Sequence, residues 1–403
     1  MTIELSNLTF TNRADIVPAS GVEQIFNTGI ANTLAGNDTI TGTANSLSTV
    51  VDLNGFPDGF PRIIPGIYND IGGTINTGNG DDIITGISPG REGILPDNGD
   101  YGYGIINRGT IDTGNGNDII TGIGQGPMGL SGIISTESEG IINTGDGDDT
   151  IIGTGLTGGT IIANDTIFDT GKGNDIIVGN GSIGLYNTSA NFNTGDGNDT
   201  ITGNCTDYGV GLYNGGFMDT GDGDDIITGA IDLSRINDGF YLIGLQNTDG
   251  GGIINTGNGD DIITSIGLFA NNGTINTGNG DDIITSIGLF ENYGAGTIDT
   301  GNGNDSIITE GGFSSSYGSL GSMFLGNGKD YLKGFGSGIF NGGNGKDTLE
   351  LTSGSYTIGI SSAGVDFTKD GIIMNTSDFE KLQAGGTTYN FNSLTNGQTI
   401  FVA

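Results

Sequence analysis

Thr77-Gly78-Asn79-Gly80-Asp81-Asp82-Ile83-Ile84-Thr85-Gly86 holds a tight glycine turn, Gly-x-Gly-x-Asp, with an aliphatic residue two places after the aspartate. The chain writes this turn eleven times between residues 78 and 347. Near-identical copies end at Asp118, Asp149, Asp175, Asp199, Asp225, Asp261, Asp282 and Asp305, looser ones at Asp330 and Asp347, and a degenerate one at Asp38. Every copy supplies one carboxylate and one apolar residue at fixed offsets, so the repeat sets architecture and chemistry together.

Working outward from the turn, each unit has three short apolar segments. One reads Ile/Val-Gly-Leu, as in Ile183-Gly184-Leu185 and Val210-Gly211-Leu212. One precedes the turn, as in Ile75-Asn76-Thr77 and Met218-Asp219-Thr220, and one follows it, as in Asp261-Ile262-Ile263-Thr264. The pieces are three to five residues long, β-branched and bounded by Gly and Asn, which predicts short strands and no helix. Strands this short must stack coil on coil, about 4.8 Å apart, around a narrow core. The second residue after each turn is always Ile or Leu, whereas the first accepts Ile, Thr, Ser or Tyr. The pleat therefore points the second inward and the first outward. The Asn or Asp before each Thr (Asn76, Asp112, Asn143, Asp169 and their equivalents) is expected to stack into a structural ladder. The predicted class is all-β: a parallel β-roll or right-handed parallel β-helix solenoid with short terminal caps.

The interval from Asp261 to Asp282 is taken as the bare coil. Longer coils place inserts near 44–65, 88–102 and 230–241, so Tyr101, Tyr103, Phe240 and Tyr241 are expected in loops forming a contact surface. After Asp347 the pattern changes to period-two alternation. This divides the chain into an N-terminal cap (1–32), a calcium-binding solenoid (33–350) and a C-terminal cap (351–403).

Composition narrows the chemistry. The 403 residues carry 82 Gly, 47 acidic and 11 basic side chains, giving a formal charge of −36. Nucleic acid and anionic membrane are poor partners for such a chain, and a cation is the natural one. No apolar run approaches the roughly 20 residues of a membrane-spanning helix, so no membrane insertion is expected. There is no His and only one Cys, Cys205, which argues against a zinc or copper site. The glycines allow the backbone to aim several carbonyls at one point, and the aspartate adds a carboxylate. Hard oxygen donors in that number suit Ca2+. Like carboxylates about 4.8 Å apart repel by roughly 0.9 kcal/mol per pair even at water's permittivity, and a divalent ion between turns reverses that sign.

The turns resemble the nonapeptide of the RTX (repeats-in-toxin, haemolysin-type) calcium-binding family, Gly-Gly-x-Gly-x-Asp-x-apolar-x. The best match is Gly342-Gly343-Asn344-Gly345-Lys346-Asp347-Thr348-Leu349-Glu350, and the likeness spans about 33–350. It implies calcium between successive turns, held by the carboxylates of Asp82, Asp118, Asp149, Asp175, Asp199, Asp225, Asp261, Asp282, Asp305, Asp330 and Asp347. Backbone would come from the turn glycines: Gly78 and Gly80, Gly114 and Gly116, Gly145 and Gly147, Gly171 and Gly173, Gly195 and Gly197, and Gly221 and Gly223. The series continues with Gly257 and Gly259, Gly278 and Gly280, Gly301 and Gly303, Gly326 and Gly328, and Gly343 and Gly345. Two departures stand out. The first family Gly is Thr in nine copies (Thr77, Thr113, Thr144 and others), and each coil carries one Asp turn rather than two. One calcium row along one edge is therefore expected.

The resemblance further implies export by a type I system, in keeping with an N-terminus lacking a visible signal peptide, and folding outside the cell. The leading expectation is a non-enzymatic, secreted calcium-binding structural or cell-surface protein, such as an adhesin, whose partners beyond Ca2+ are cell-surface polysaccharide or copies of itself. One alternative is a polysaccharide-active β-helix enzyme, for which only Arg91, Arg108 and Arg235 are available as break-pattern cations. Another is an ice- or polysaccharide-binding face made by the Thr column beside the turn.

Overall fold

The computed structural model describes residues 2–18, 23–45, 63–90, 101–124, 131–135, 140–155, 159–163, 167–234, 242–248, 250–314 and 321–403. Within them there is no α-helix, and strands stack in parallel through most of the chain. Each coil contributes three strands. The pre-turn strands, such as Thr74–Asn76, Thr110–Asp112 and Ile141–Asn143, form one parallel sheet. The post-turn strands, such as Ile83–Ser88, Ile119–Gly124 and Thr150–Thr154, pair in strict register, Ile84 beside Ile120 and Ile120 beside Ile151. The middle strands, such as Ile63–Asn69 and Tyr101–Asn107, form the third face.

The pleat expectation holds along the solenoid. Ile84, Ile120, Ile151, Ile177, Ile201, Ile227, Ile263, Ile284, Ile307, Leu332 and Leu349 are all fully buried. A second column, running from Ile75 through Phe168, Phe192 and Met218 to Phe340, faces it from the pre-turn sheet. A third comes from the middle strands, including Ile67, Leu185, Leu212 and Phe269. Each such side chain contributes about 1.5–3 kcal/mol of burial, and each touches only its own coil and its neighbours.

Three expectations need correction. Where no loop separates them, post-turn and middle strands fuse, giving Ile176–Asn187 of 12 residues and Thr200–Asn214 of 15. The shortest coil is not the one between Asp261 and Asp282. Asp330 and Asp347 are 17 residues apart, because a single bridge from Phe313 to Gly336 replaces a middle strand there. Tyr101 and Tyr103 lie within a strand paired to Ile63–Asn69, not in a loop, because the third coil face is built from them. Phe240, Tyr241, Arg91, Arg235 and most of the predicted inserts lie outside the described residues.

Residues 24–32 already pair as coil strands, Gln24–Asn27 with Ile63–Asn69 and Ile30–Asn32 with Thr74–Asn76. At the other end the pairing becomes antiparallel. Gly354–Ser361, Gly364–Lys369 and Ile372–Ser377 form a meander, Thr399–Val402 adds to its edge, and Ile372–Ser377 pairs with the last pre-turn strand. Tyr356, Phe367 and Met374 are buried beneath it.

Candidate metal-binding edge

The turn is shaped by its two glycines. Gly78 and Gly80 have φ of 90° and 149°, and the later turns repeat these values closely except at Gly328, which lies outside the left-handed region. These are backbone conformations that side-chain-bearing residues rarely adopt. Space excludes a side chain as well. A Cβ on Gly114 would lie 1.7 Å from the Gly78 carbonyl oxygen, and one on Gly116 would lie 1.8 Å from that of Gly80. The glycines thus let the carbonyls of one turn press against the backbone of the next.

Behind this cradle stands a row of carboxylates. Asp82 through Asp347, all eleven expected members, are at most 1% exposed and fall on one edge. The Oδ1 of each accepts the backbone N–H of the corresponding Asp in the preceding coil. Asp82 donates to Asp118, Asp118 to Asp149, Asp199 to Asp225 and Asp225 to Asp261, each at 2.8 Å. In contrast, the Oδ2 atoms of all these residues are buried with no hydrogen-bond partner. Leaving an ionised oxygen in that state costs several kcal/mol.

The titration behaviour reflects the same strain. Burial pushes Asp118, Asp175, Asp282 and Asp347 up to about 6, and Asp149, Asp199, Asp261, Asp305 and Asp330 up to about 7. Asp225 reaches about 8, with its neighbours Asp199 and Asp261 adding repulsion. The donated backbone N–H offsets part of this, as that of Asp82 does for Asp118. The Thr that replaces the family's first Gly instead ties one coil to the next, as when Thr113 donates to the Thr144 carbonyl at 3.3 Å. Thr77, Thr113, Thr144 and Thr194 are fully buried, and Thr77 also donates to the Thr113 carbonyl at 3.2 Å. The Thr column beside the turn is therefore not an exposed binding face.

Two residues extend the row beyond the eleven expected ligands. Asp38, set aside as degenerate, is 1% exposed, accepts from Asp15 N–H at 2.7 Å through Oδ1, and carries the same orphaned Oδ2. At the other end the Asp347 N–H donates to Glu380 Oε2 at 2.7 Å, so a glutamate outside the repeat terminates the ladder. The signal for Asp38 was Gly36-Asn37-Asp38-Thr39-Ile40; for Glu380 no local motif exists.

Other ladders are structural. The residue before each Asp forms an outer rung, as in Asn117 N–H to Asp81 Oδ1 at 3.0 Å and Asp148 N–H to Asn117 Oδ1 at 3.0 Å. Lys329 joins it through its backbone alone. The expected pre-turn ladder is present, with Asn76 and Asn143 both donating to Asp112. A buried Asn ladder, Asn187–Asn214–Asn247–Asn271–Asn292, runs along the end of the middle strands at 2.8–2.9 Å and was not anticipated.

A hard divalent cation fits this donor set: partnerless buried carboxylate oxygens, one per coil, beside glycine carbonyls. Among the described residues no three Asp, Glu, Cys or His side chains converge. An ion would thus draw on Asp and backbone together. Arg108, the one candidate catalytic arginine described, is instead tied to Tyr68 Oη at 3.0 Å and Asp70 at 3.6 Å.

No family model and no curated protein matches the sequence. Among solved structures, the chain is similar to a hyperactive, Ca2+-dependent, beta-helical antifreeze protein from an Antarctic bacterium, at 18% identity, TM-score 0.52, and covering 96% of this chain and 93% of that one. The two chains share a β-helical solenoid fold.

Proposed function

We propose that this protein is an extracellular, non-enzymatic β-solenoid whose stack is completed by a row of Ca2+ ions along the Asp edge. The observation that carries this reading is the line of buried, partnerless Oδ2 atoms from Asp38 to Asp347. Asp82 through Asp347 would be the side-chain ligands and the paired turn glycines the carbonyl donors. Bound Ca2+ would supply positive charge where neighbouring carboxylates otherwise repel, linking ion binding to folding. The Ca2+ dependence of the structural neighbour supports the same assignment. The RTX-like turns support secretion by a type I route, and the terminal segments 1–32 and 351–403 would close the stack. A surface role, as an adhesin or envelope component contacting polysaccharide or copies of itself, suits a rigid rod of this kind. A second reading follows from the neighbour's antifreeze activity. It requires a regular, uncharged, outward lattice, and the register of the post-turn strands supports one.

Far-UV circular dichroism with Ca2+ titrated against chelator and against Mg2+ tests the central claim. Ca2+ should raise β signal and thermal midpoint, and Mg2+ should do so far less. A spectrum and midpoint indifferent to chelation would remove the metal from the proposal.

A further inference from the structure

The outward positions of the post-turn strands form two columns in continuous register over ten coils. One runs Thr39, Ile83, Ile119, Thr150, Ile176, Thr200, Ile226, Ile262, Ile283, Ser306. The other lies two residues further on: Thr41, Thr85, Thr121, Ile152, Val178, Thr202, Thr228, Thr264, Thr285, Ile308. All twenty are Thr, Ser, Ile or Val, and none is charged or aromatic, on a chain of net charge −36; the next rung in register, Tyr331 and Lys333, ends the neutral grid. Ile83, Ile119, Ile176, Ile226 and Ile283 are open to solvent, Ile176 at 44% and Ile226 at 39%, and Ile152, Ile262 and Ile308 are half-buried.

Two other surfaces differ. The pre-turn sheet displays Asp112, Asp169, Asp219 and Asp299. The turn edge displays Asp81, Asp148 and Asp224 among its outer rungs.

We propose that this neutral post-turn face binds an ordered water lattice, that is, the surface of ice. The geometry supplies a two-dimensional grid with about 4.8 Å between coils and about 6.6 Å between columns, extending some 43 Å along the axis. Both repeats are of the order found between oxygens in crystalline water. Eleven of the twenty grid points carry a hydroxyl and all but Ser306 carry methyl groups. β-Branched side chains hold few rotamers, so the grid loses little entropy when a rigid partner settles on it. Exposed apolar surface of this extent marks an interaction site. A protein partner would not match a repeat of ten coils. Sugar rings stack on aromatics, and the grid has none. A second copy would bring another net charge of −36 close to the first, which disfavours face-to-face pairing. This inference rests on the second reading above, whose surface it assigns, and on the solenoid, not on the identity of the ion, which need only keep the coils stacked.

The test uses the full chain in Ca2+, with its fold checked by circular dichroism. Partition into a growing ice hemisphere and thermal hysteresis are measured for the wild type, for Thr228→Tyr in mid-grid, and for Thr274→Tyr on the exposed pre-turn sheet. The wild type and Thr274→Tyr should enter ice alike, and Thr228→Tyr should lose about tenfold in hysteresis. Exclusion of the folded wild type from ice, or equal loss in both variants, overturns the proposal. So does retention on crystalline cellulose or chitin, or dimerisation in sedimentation, that Thr228→Tyr abolishes while ice uptake is unchanged. A folded protein excluded from ice leaves the calcium reading standing, and insensitivity to chelator with ice uptake intact removes calcium alone.

Discussion

Replacing Asp225 by Asn should change stability in opposite directions with and without calcium. The substituted side chain keeps an oxygen to accept the Asp199 N–H now bound at 2.8 Å, but puts an amide nitrogen in place of the orphaned Oδ2. In chelator at pH 7, Asp225 must stay protonated in the folded state, since burial and its neighbours push it up to about 8. The unfolded chain ionises it freely, from a reference of 3.8. About three pH units separate that reference from pH 7, and at 1.36 kcal/mol each they give a folded-state cost of about 4 kcal/mol, which Asp225→Asn removes. The new amide, itself short of an acceptor, returns about 1–3 kcal/mol. The net is a gain of roughly 1–3 kcal/mol. In saturating Ca2+ the same change deletes a charged ligand; at a hundredfold loss of affinity the stack forfeits about 2.7 kcal/mol. The assay is urea unfolding of wild type and variant in both media, comparing midpoints at constant slope. A variant that destabilises equally in both would show that Oδ2 has no metal role and that the carboxylate is merely structural.

Three further outcomes follow from the same edge. In chelator, stability should be greatest below about pH 4 and fall as pH rises through the folded values of about 6 to 8, because the folded row binds more protons than the unfolded chain; with Ca2+, which needs ionised ligands, stability should instead fall on acidification below about pH 6, and melting curves across pH in both media check the crossover. Gly116→Ala should cost several-fold more thermal stability than Gly72→Ala, since a Cβ at 116 meets the Gly80 carbonyl at 1.8 Å whereas one at 72 meets nothing within 4 Å, leaving only a backbone cost near 1 kcal/mol. Glu380→Ala should expose the Asp347 N–H and lower the melting point, while Glu380→Gln, which retains the acceptor, should cost less than half as much.

The repeat spelled out most of the coil because its physics is local. Gly78 and Gly80 fix a turn, Ile84 must face inward if Ile83 faces out, and Asn76 meets Asp112 one coil on. What the sequence concealed depends on partners from elsewhere in the chain. Glu380 completes the ladder from outside any repeat. Tyr101 and Tyr103 read as loop residues because nothing in their own stretch reveals that Ile63–Asn69 pairs beside them. The Thr column before the turn was one option for a binding face, yet these residues are buried, and Thr77 gives its hydroxyl proton to the Thr113 carbonyl of the next coil. The grid of Thr and Ile was visible residue by residue, but its continuity and neutrality emerge only when the coils are laid in register.

Every rung of the Asp ladder points one way: the backbone of a coil is finished by the side chain of its successor. The rod consequently has a head and a tail. Trimming coils from the amino end leaves a loose oxygen that water can satisfy, whereas trimming from the carboxyl end strips an acceptor from a buried amide. Shortened versions of equal length should therefore survive or fail according to which terminus was cut.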